Sequence, residues 1–327
     1  MTRLGLLPLA LGALTACGSE EPPASDPTGI VVVTFNTGTT PGLGHDSSDD
    51  GYGAAEATLS DLHYGNGLAW RAVVDDTRNY LAQLAPDVIG FQEIFHSDDC
   101  AAVPDAARPG FVCESWQPGD PTVAQTILGQ GYQVACHQGK ADKCIGVKTS
   151  FGRLAGCEQD LCLDFLDGKP ITGCGGGSRV GRGVIELAAG GTLTVVNLHG
   201  NSGLKLSDTE CRVALFAAVF EDFDGQPAAS GERNVVLGDL NTDPGRNHTF
   251  DASAVKWNEH VGPGKAFRMH TAVGPDVLPT YAGNFNIDHV ASDAFSGTCV
   301  HPGATPGSTP VSPIVYFDHK PAVCRLR

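Results

Sequence analysis

Short apolar runs, each closing on a carboxylate, carboxamide or imidazole, recur along this chain and constrain its fold more than any other feature. The run 30–35 ends at Asn36, the run 88–91 at Gln92 and Glu93, and the run 192–196 at Asn197 and His199. Residues 234–237 lead to Asp239 and Asn241, residues 285–290 hold Asp288 and His289, and Asp318 and His319 precede 322–326. Runs of about four to eight apolar residues bounded by turn signals read as buried strands. If their ends share one sheet edge, these polar side chains meet at one mouth, where α/β folds bind ligands. Further strands are expected at 132–135, 145–147 and 184–187. Between them, 71–84 has helical spacing stopped by Pro86, and Asp120-Pro121 opens a helix closed by Gly129. Ser207-x-x-Glu210 reads as a capping box for another helix.

The 42 Gly and 21 Pro among 327 residues fit a loop-rich sheet protein better than a helical bundle. No composition break divides 29–327, so one α/β domain is expected, with a long Gly/Asp-rich insertion at 37–67. A formal charge of −16 excludes a protein held on a polyanion by positive charge alone. It leaves open a phosphate reached through a metal ion. The 11 Cys point to an oxidising compartment. Residues 1–16 read as an export signal. Leu14-Thr15-Ala16-Cys17 resembles the bacterial lipobox, which implies lipidation of Cys17. Residues 17–28 would then be a polar tether, making the protein an exported, membrane-anchored lipoprotein at the periplasmic or cell-surface face. No other run reaches the roughly 18 apolar residues of a membrane span. The remaining Cys suit five disulfides, with about 945 possible pairings. Spacing alone suggests Cys136–Cys144 across a hairpin and Cys299–Cys324 between the last strands. With no Cys-x-x-Cys and no Cys/His pair at zinc spacing, no structural zinc is expected.

The donor types that close the strands suit a hard divalent cation, Mg²⁺ or Mn²⁺, which neutralises phosphate and activates water. The histidines can move protons near neutral pH. In this light the sequence resembles the endonuclease/exonuclease/phosphatase superfamily, whose branches include DNase I and the bacterial sphingomyelinases. The matching pieces are Thr34-Phe35-Asn36, Phe91-Gln92-Glu93, Gly181-Arg182, Asn197-Leu198-His199, Gly238-Asp239-Leu240-Asn241-Thr242-Asp243-Pro244, Asn286-Ile287-Asp288-His289 and Phe317-Asp318-His319-Lys320-Pro321. They occur in the family's order from residue 30 to 324. The resemblance implies a DNase I-like four-layer α/β sandwich, two packed mixed β-sheets flanked by helices. It implies Glu93 as main metal ligand with Asn36 and Asp318 beside it. Asp239 and Asn241 would position water and phosphate, His319 and His199 would act as base and acid or hold the phosphate, and Asp288 would orient one of them. Arg182 and Asn197 would contact substrate. Phe317 replaces the family's usual Ser, and His289 stands where an aromatic residue or Arg is usual.

The implied activity is hydrolysis of a P–O bond by in-line attack of water, with extracellular nucleic acid as first substrate and a monomer as the working unit. A sphingomyelinase-like phospholipase C ranks lower because no paired aromatic tip is visible among the three Trp. A phosphomonoesterase lacks a visible Lys/Arg cluster. An inactive surface binding lipoprotein would have no reason to keep Glu93, Asp239, Asn241 and His319. Asp46-x-Ser48-x-Asp50-Gly51 copies half of a calcium loop, but Ala57 occupies the closing Glu position, so a solvated loop is the expectation over a Ca²⁺ site. Gly173-Cys174-Gly175 reads as a disulfide-held turn, and Asn247-His248-Thr249 as a chance glycosylation sequon.

Overall fold

The computed structural model describes residues 29–45 and 49–327. The signal, the tether, Cys17 and the Asp46 and Ser48 positions of the half calcium loop lie outside the described residues. Seven strands form one mixed sheet: β1 (Ile30–Asn36), β2 (Val88–Gln92), β3 (Tyr132–His137), β4 (Lys140–Lys148), β6 (Leu161–Leu166), β12 (Gly297–Val300) and β13 (Ala322–Leu326), in the order β12-β13-β1-β2-β4-β3-β6. The second has six: β5 (Gly152–Leu154), β7 (Val180–Leu187), β8 (Thr192–His199), β9 (Asn234–Asp239), β10 (Arg268–Met269) and β11 (Asp288–Ser292), in the order β10-β11-β9-β8-β7-β5.

Three apolar cores separate four layers. One packs the first sheet against α1 (Ala54–Tyr64), α2 (Arg71–Leu84) and α3 (Val123–Leu128). A second packs the other sheet against α4 (Leu206–Phe220) and α5 (Ala252–His260). The third lies between the sheets, built from Val32, Val88, Ile145, Val195, Leu237, Val290, Cys324 and their neighbours. Helix α2 shows how the layers are fastened. It buries Val73, Val74, Thr77 and Leu81 along one stripe, and each large apolar side chain so buried contributes about 1.5–3 kcal/mol.

Strand parity places the functional side chains. In β1, Ile30 and Val32 face the other sheet while Val33 and Phe35 face the helices. The two-residue period then turns Asn36 toward the second sheet. In β8, Leu193 and Val195 face inward, so Asn197 and His199 do too; in β9, Val235 and Leu237 put Asp239 on the same face. A one-residue slip in any of these strands would turn its polar terminus out of the gap.

Local details differ from the sequence reading in several places. The cap of α3 is Thr122, whose hydroxyl accepts from Gln125 N, rather than Asp120. Lys205 caps α4, with Asp208 accepting its N–H at 3.0 Å, so Ser207 and Glu210 lie inside the helix rather than forming its capping box. The 37–67 stretch carries α1, whose Ala57, Ser60 and Tyr64 are buried; three small or polar contacts leave little apolar periodicity to read. Asp50 Oδ1 accepts from Tyr52 N at 3.0 Å, a turn just ahead of α1. Helix α5 had no counterpart in the sequence reading.

Five disulfides join Cys100–Cys113, Cys136–Cys144, Cys157–Cys162, Cys174–Cys211 and Cys299–Cys324. Cys136 and Cys144 are directly opposite across β3 and β4, and Cys299 and Cys324 across β12 and β13. The Cys174 bridge holds the Gly-rich turn, as the sequence indicated.

Candidate active site

The site assembles from one row of residues in each sheet. His199, Asp239 and Asp288 are register neighbours across β8, β9 and β11. Opposite them, Asn36 and Gln92 are neighbours in β1 and β2, and Glu93 follows immediately. Asp318 and His319 arrive on the segment before β13, where His319 bridges to Tyr281.

Hydrogen bonds tie these rows together. Asn36 Nδ2 donates to Glu93 Oε1 at 3.3 Å and to Asp239 Oδ2 at 3.1 Å, and His319 Nε2 lies in contact with it at 3.3 Å. His319 Nδ1 meets Asp288 Oδ2 at 2.9 Å. His199 Nε2 stands 3.4 Å from Glu93 Oε1 and 3.5 Å from Asp239 Oδ2. Asn241 donates Nδ2 to Asp239 Oδ2 at 2.9 Å and its backbone N–H to Oδ1 at 2.7 Å. Glu93 and Asn241 both adopt left-handed backbone, φ 58° and 49°. Non-glycine residues pay conformational strain there, and such strain concentrates at functional sites.

Burial and crowding drive the two histidines apart. Burial opposes a charged His319, but Asp288 and Asp239 outweigh it and raise His319 to about 10. Burial first, then the positive charge of Lys143 and Arg179, holds His199 well below 6.5. Burial raises Asp239 to about 7 despite the His319 cation, with Asp288 and Glu93 adding repulsion. Glu93 is also raised, by burial and by Asp318. The two imidazoles are thus pushed to opposite sides of the ordinary His value, the kind of separation that lets one group act as acid and another as base.

The fold is the one the motif series implied. No family model matches the chain, and no curated protein matches it. Among solved structures, a functionally unknown conserved protein from Enterococcus faecalis V583 is 10% identical with a TM-score of 0.53, over 91% of this chain and 99% of its own. An endonuclease/exonuclease/phosphatase family protein from Bacteroides thetaiotaomicron is 13% identical at a TM-score of 0.49, over 91% and 95% of the two chains. A beta toxin from Staphylococcus aureus is 14% identical at 0.49, over 90% and 99%. At these identities the likeness is one of fold.

The cluster thus gathers Asn36, Glu93, His199, Asp239, Asn241, Asp288, Asp318 and His319. Two residues expected at the substrate stand elsewhere. Arg182 pairs with Val196 in register, which puts it on the helix side of its sheet, bonded to Asp167 and over the Phe223 ring. Asn197 has the right parity but lies one step deeper than His199. It is fully buried, accepting from Gln92 Nε2 at 2.6 Å and donating to Phe91 O at 3.1 Å, so it joins the sheets. His289 has the opposite parity to Asp288 and bonds Thr271 and the Asn286 carbonyl.

The donor set fits a divalent cation. Asp318 Oδ1 and Asp288 Oδ1 are buried oxygens without a hydrogen-bond partner, and carboxylate oxygens left so are costly unless a cation or proton meets them. Glu93 and Asp318 offer oxygens for it. Asn36 turns its amide hydrogens to the carboxylates while its Oδ1 accepts from Gly38 N at 2.9 Å, so as placed it steadies Glu93 and Asp239 instead of ligating. The ligand atoms of Asp239, Asp288 and His319 also lie within 4.8 Å of one another, with His319 Nδ1 already hydrogen-bonded to Asp288 Oδ2 at 2.9 Å.

Three side chains were not singled out from sequence. Lys143 of β4 is 3% exposed and paired to Asp142 at 2.6 Å; the Ile94 N–H to Asp142 O bond brings that pair beside Glu93. Arg179 lies next to His199, whose backbone N–H donates to its carbonyl at 3.0 Å. Tyr281 packs its ring 4.6 Å from that of His319. The one local signal was a lysine inside the buried run of β4; the other two sit in loops.

Gly38 gives a geometric test. A Cβ there would stand 2.2 Å from Glu93 Oε2, so Gly38→Ala must displace the carboxylate. The expected result is a loss of activity of about a hundredfold at nearly wild-type thermal stability, read by kinetics and a melting curve; wild-type kinetics would mean the Glu93 position is immaterial.

His289 gives a second. Its folded value of about 4 lies below the ordinary 6.5 through burial. Between those pH values the unfolded chain binds a proton that the folded chain does not, so this residue's contribution to stability falls as pH falls. Urea titrations should show the stability of the wild type rising with pH between 5 and 6 more steeply than that of His289→Gln, by about 1 kcal/mol per pH unit. Parallel slopes would mean that His289 is protonated in the fold.

Proposed function

We propose that this protein is a divalent-metal-dependent phosphodiester hydrolase. The observation that carries the reading is the facing pair of rows, with His319 held by Asp288 opposite His199 beside Glu93 and Asp239. A bound Mg²⁺ or Mn²⁺ would supply Lewis-acid charge to a phosphoryl oxygen and a lowered pKa to water. Glu93 and Asp318 are the residues to hold it. The His319 imidazolium, fixed through Nδ1 by Asp288, presents Nε2 to a phosphate oxygen or gives its proton to a leaving alkoxide. Neutral His199 can accept a proton, and its Nδ1 is a buried atom without a partner. Asn241, locked to Asp239 by two bonds, aims that carboxylate.

With bis(4-nitrophenyl) phosphate and Mg²⁺ or Mn²⁺ the purified protein should release nitrophenol, and EDTA should abolish the release until the metal is restored. Turnover unaffected by EDTA would remove the metal from the reading; no turnover of any phosphoester would end it. The reading extends to an exported protein anchored through Cys17. The five disulfides support an oxidising compartment. Radiolabelled palmitate should enter the wild type and not Cys17→Ser.

A further inference from the structure

Residues 173–177 read Gly-Cys-Gly-Gly-Gly. Gly173, Gly175 and Gly177 take φ of 86°, 78° and 70°, so the turn keeps the backbone freedom that glycine brings. Cys174 is the one side chain in it beyond hydrogen, and it alone can fasten the turn sideways. It is 1% exposed and bonded to Cys211 of α4, itself 2% exposed.

The turn leads into Arg179, one residue before β7. Arg179 Nε donates to Cys174 O at 2.6 Å, and the Arg179 carbonyl accepts from His199 N at 3.0 Å. The bridge thus fixes the carbonyl on which this guanidinium rests. Parity separates Arg179 from Arg182. Val180 packs on the helix side of β7 and Ile185 between the sheets. The two-residue period puts Arg179 on the same face as Ile185, the face that carries His199. Its charge acts on His199 and is met by those of Asp142 and Glu93. Among the described residues its Nη groups have no hydrogen-bond partner. They remain available to a phosphate oxygen, which a guanidinium binds in two-pronged fashion.

We propose that the Cys174–Cys211 bridge is a positioning element of the site: it sets Arg179 beside His199, and hydrolysis requires it while the fold does not. The proposal rests on the hydrolase reading and adds regulation to it. Around the bridge, Val180, Val196, Leu215, Phe216, Val219 and Trp257 hold α4 on its sheet without the bond. Closing the bond oxidises two thiols to a disulfide and reduces one acceptor disulfide to two thiols. The chain therefore gains full activity only where such an acceptor is present, and burial of both cysteines keeps the bond closed afterwards. In a reducing compartment the carboxylates and imidazoles gather without a placed Arg179.

The test uses the full chain with Mn²⁺ and bis(4-nitrophenyl) phosphate. Cys174→Ala/Cys211→Ala should melt cooperatively yet lose about tenfold in kcat/KM, the scale of one charge-assisted contact. Arg179→Ala with the bridge intact should lose as much. Adding the bridge deletion to Arg179→Ala should cost nothing more, because both act through one guanidinium. Cys157→Ala/Cys162→Ala, which opens a bridge between residues five apart, should keep wild-type kinetics. In metal-free protein the Arg179 Nε–H resonance, identified by its loss in Arg179→Lys, should exchange slowly with the bridge and fast without it. Additive losses, wild-type kinetics or unchanged Nε–H exchange in Cys174→Ala/Cys211→Ala, or failure of that variant to melt cooperatively, would overturn the proposal. Faster Nε–H exchange with no hydrolysis by any form would uphold the positioning of Arg179 and overturn the hydrolase reading.

Discussion

His319→Ala should lower kcat for phosphodiester hydrolysis by about a thousandfold or more, with little change in the melting temperature. The size follows from two losses at once. Proton transfer by a positioned imidazole contributes about 10²–10⁴-fold, and the same ring, raised to about 10 by Asp288 and Asp239, is the positive charge nearest the carboxylate row. Removing it leaves Asp239 and Asp288 facing one another without an imidazolium between them. The Asp239 carboxyl, already raised to about 7, would rise further. A pH–rate profile separates this from a packing defect, because the acid limb that reports Asp239 should move to higher pH in the variant. Asp288→Asn should follow the same direction with a smaller loss, since it keeps the ring in place and removes the charge that holds its proton. Activity within a few fold of wild type in His319→Ala would sink the catalytic reading.

Glu93→Gln is expected to have the second large effect. The substitution keeps the shape and the left-handed backbone at this position, so the fold should survive it. It removes the carboxylate charge that, with Asp318, would hold the cation, and it gives Asn36 Nδ2 an amide where it now meets Oε1 at 3.3 Å. Activity should fall about 10²–10³-fold, the range for losing one electrostatic element of a site. Mn²⁺ affinity, measured by electron paramagnetic resonance on the protein without substrate, should weaken at least tenfold. If affinity is unchanged while activity falls, Glu93 works on water or phosphate and the cation is held elsewhere, with the Asp239, Asp288 and His319 trio the next group to test. If neither changes, the site as described is not the reactive one.

Much of the architecture was legible because strand signals are local. The run 30–35, its counterparts in β2, β8 and β9, and the stop of α2 at Pro86 all rest on neighbouring residues. Helices α1 and α5 were not legible, because each has only three buried residues, too few to stand out by periodicity. The caps of α3 and α4 were displaced for a related reason: several polar residues could cap in each case, and packing selects one. Arg182, Asn197 and His289 show the limit for function. Each lies in or beside a motif, but one step of strand parity or depth decides whether a side chain reaches the mouth, the gap between sheets or the opposite face. A motif records proximity in sequence and not that step.

The sequence by itself determined the chemistry available to this protein: which side chains close its strands, how many cysteines it can pair, and an acidic balance that any phosphate substrate must overcome. Only the tertiary structure decided which of those side chains meet. Packing two sheets face to face brings Asn36 and Glu93 within hydrogen-bonding reach of Asp239 and His199 from strands up to 203 residues apart. The same crowding and burial push the pKa values of His319 and His199 in opposite directions, and the pinning of the Asn201–Gly203 carbonyls by Arg212 leaves Leu204 facing solvent beside the site. These outcomes depend on distances and on shared burial between segments remote in sequence, which no local pattern encodes.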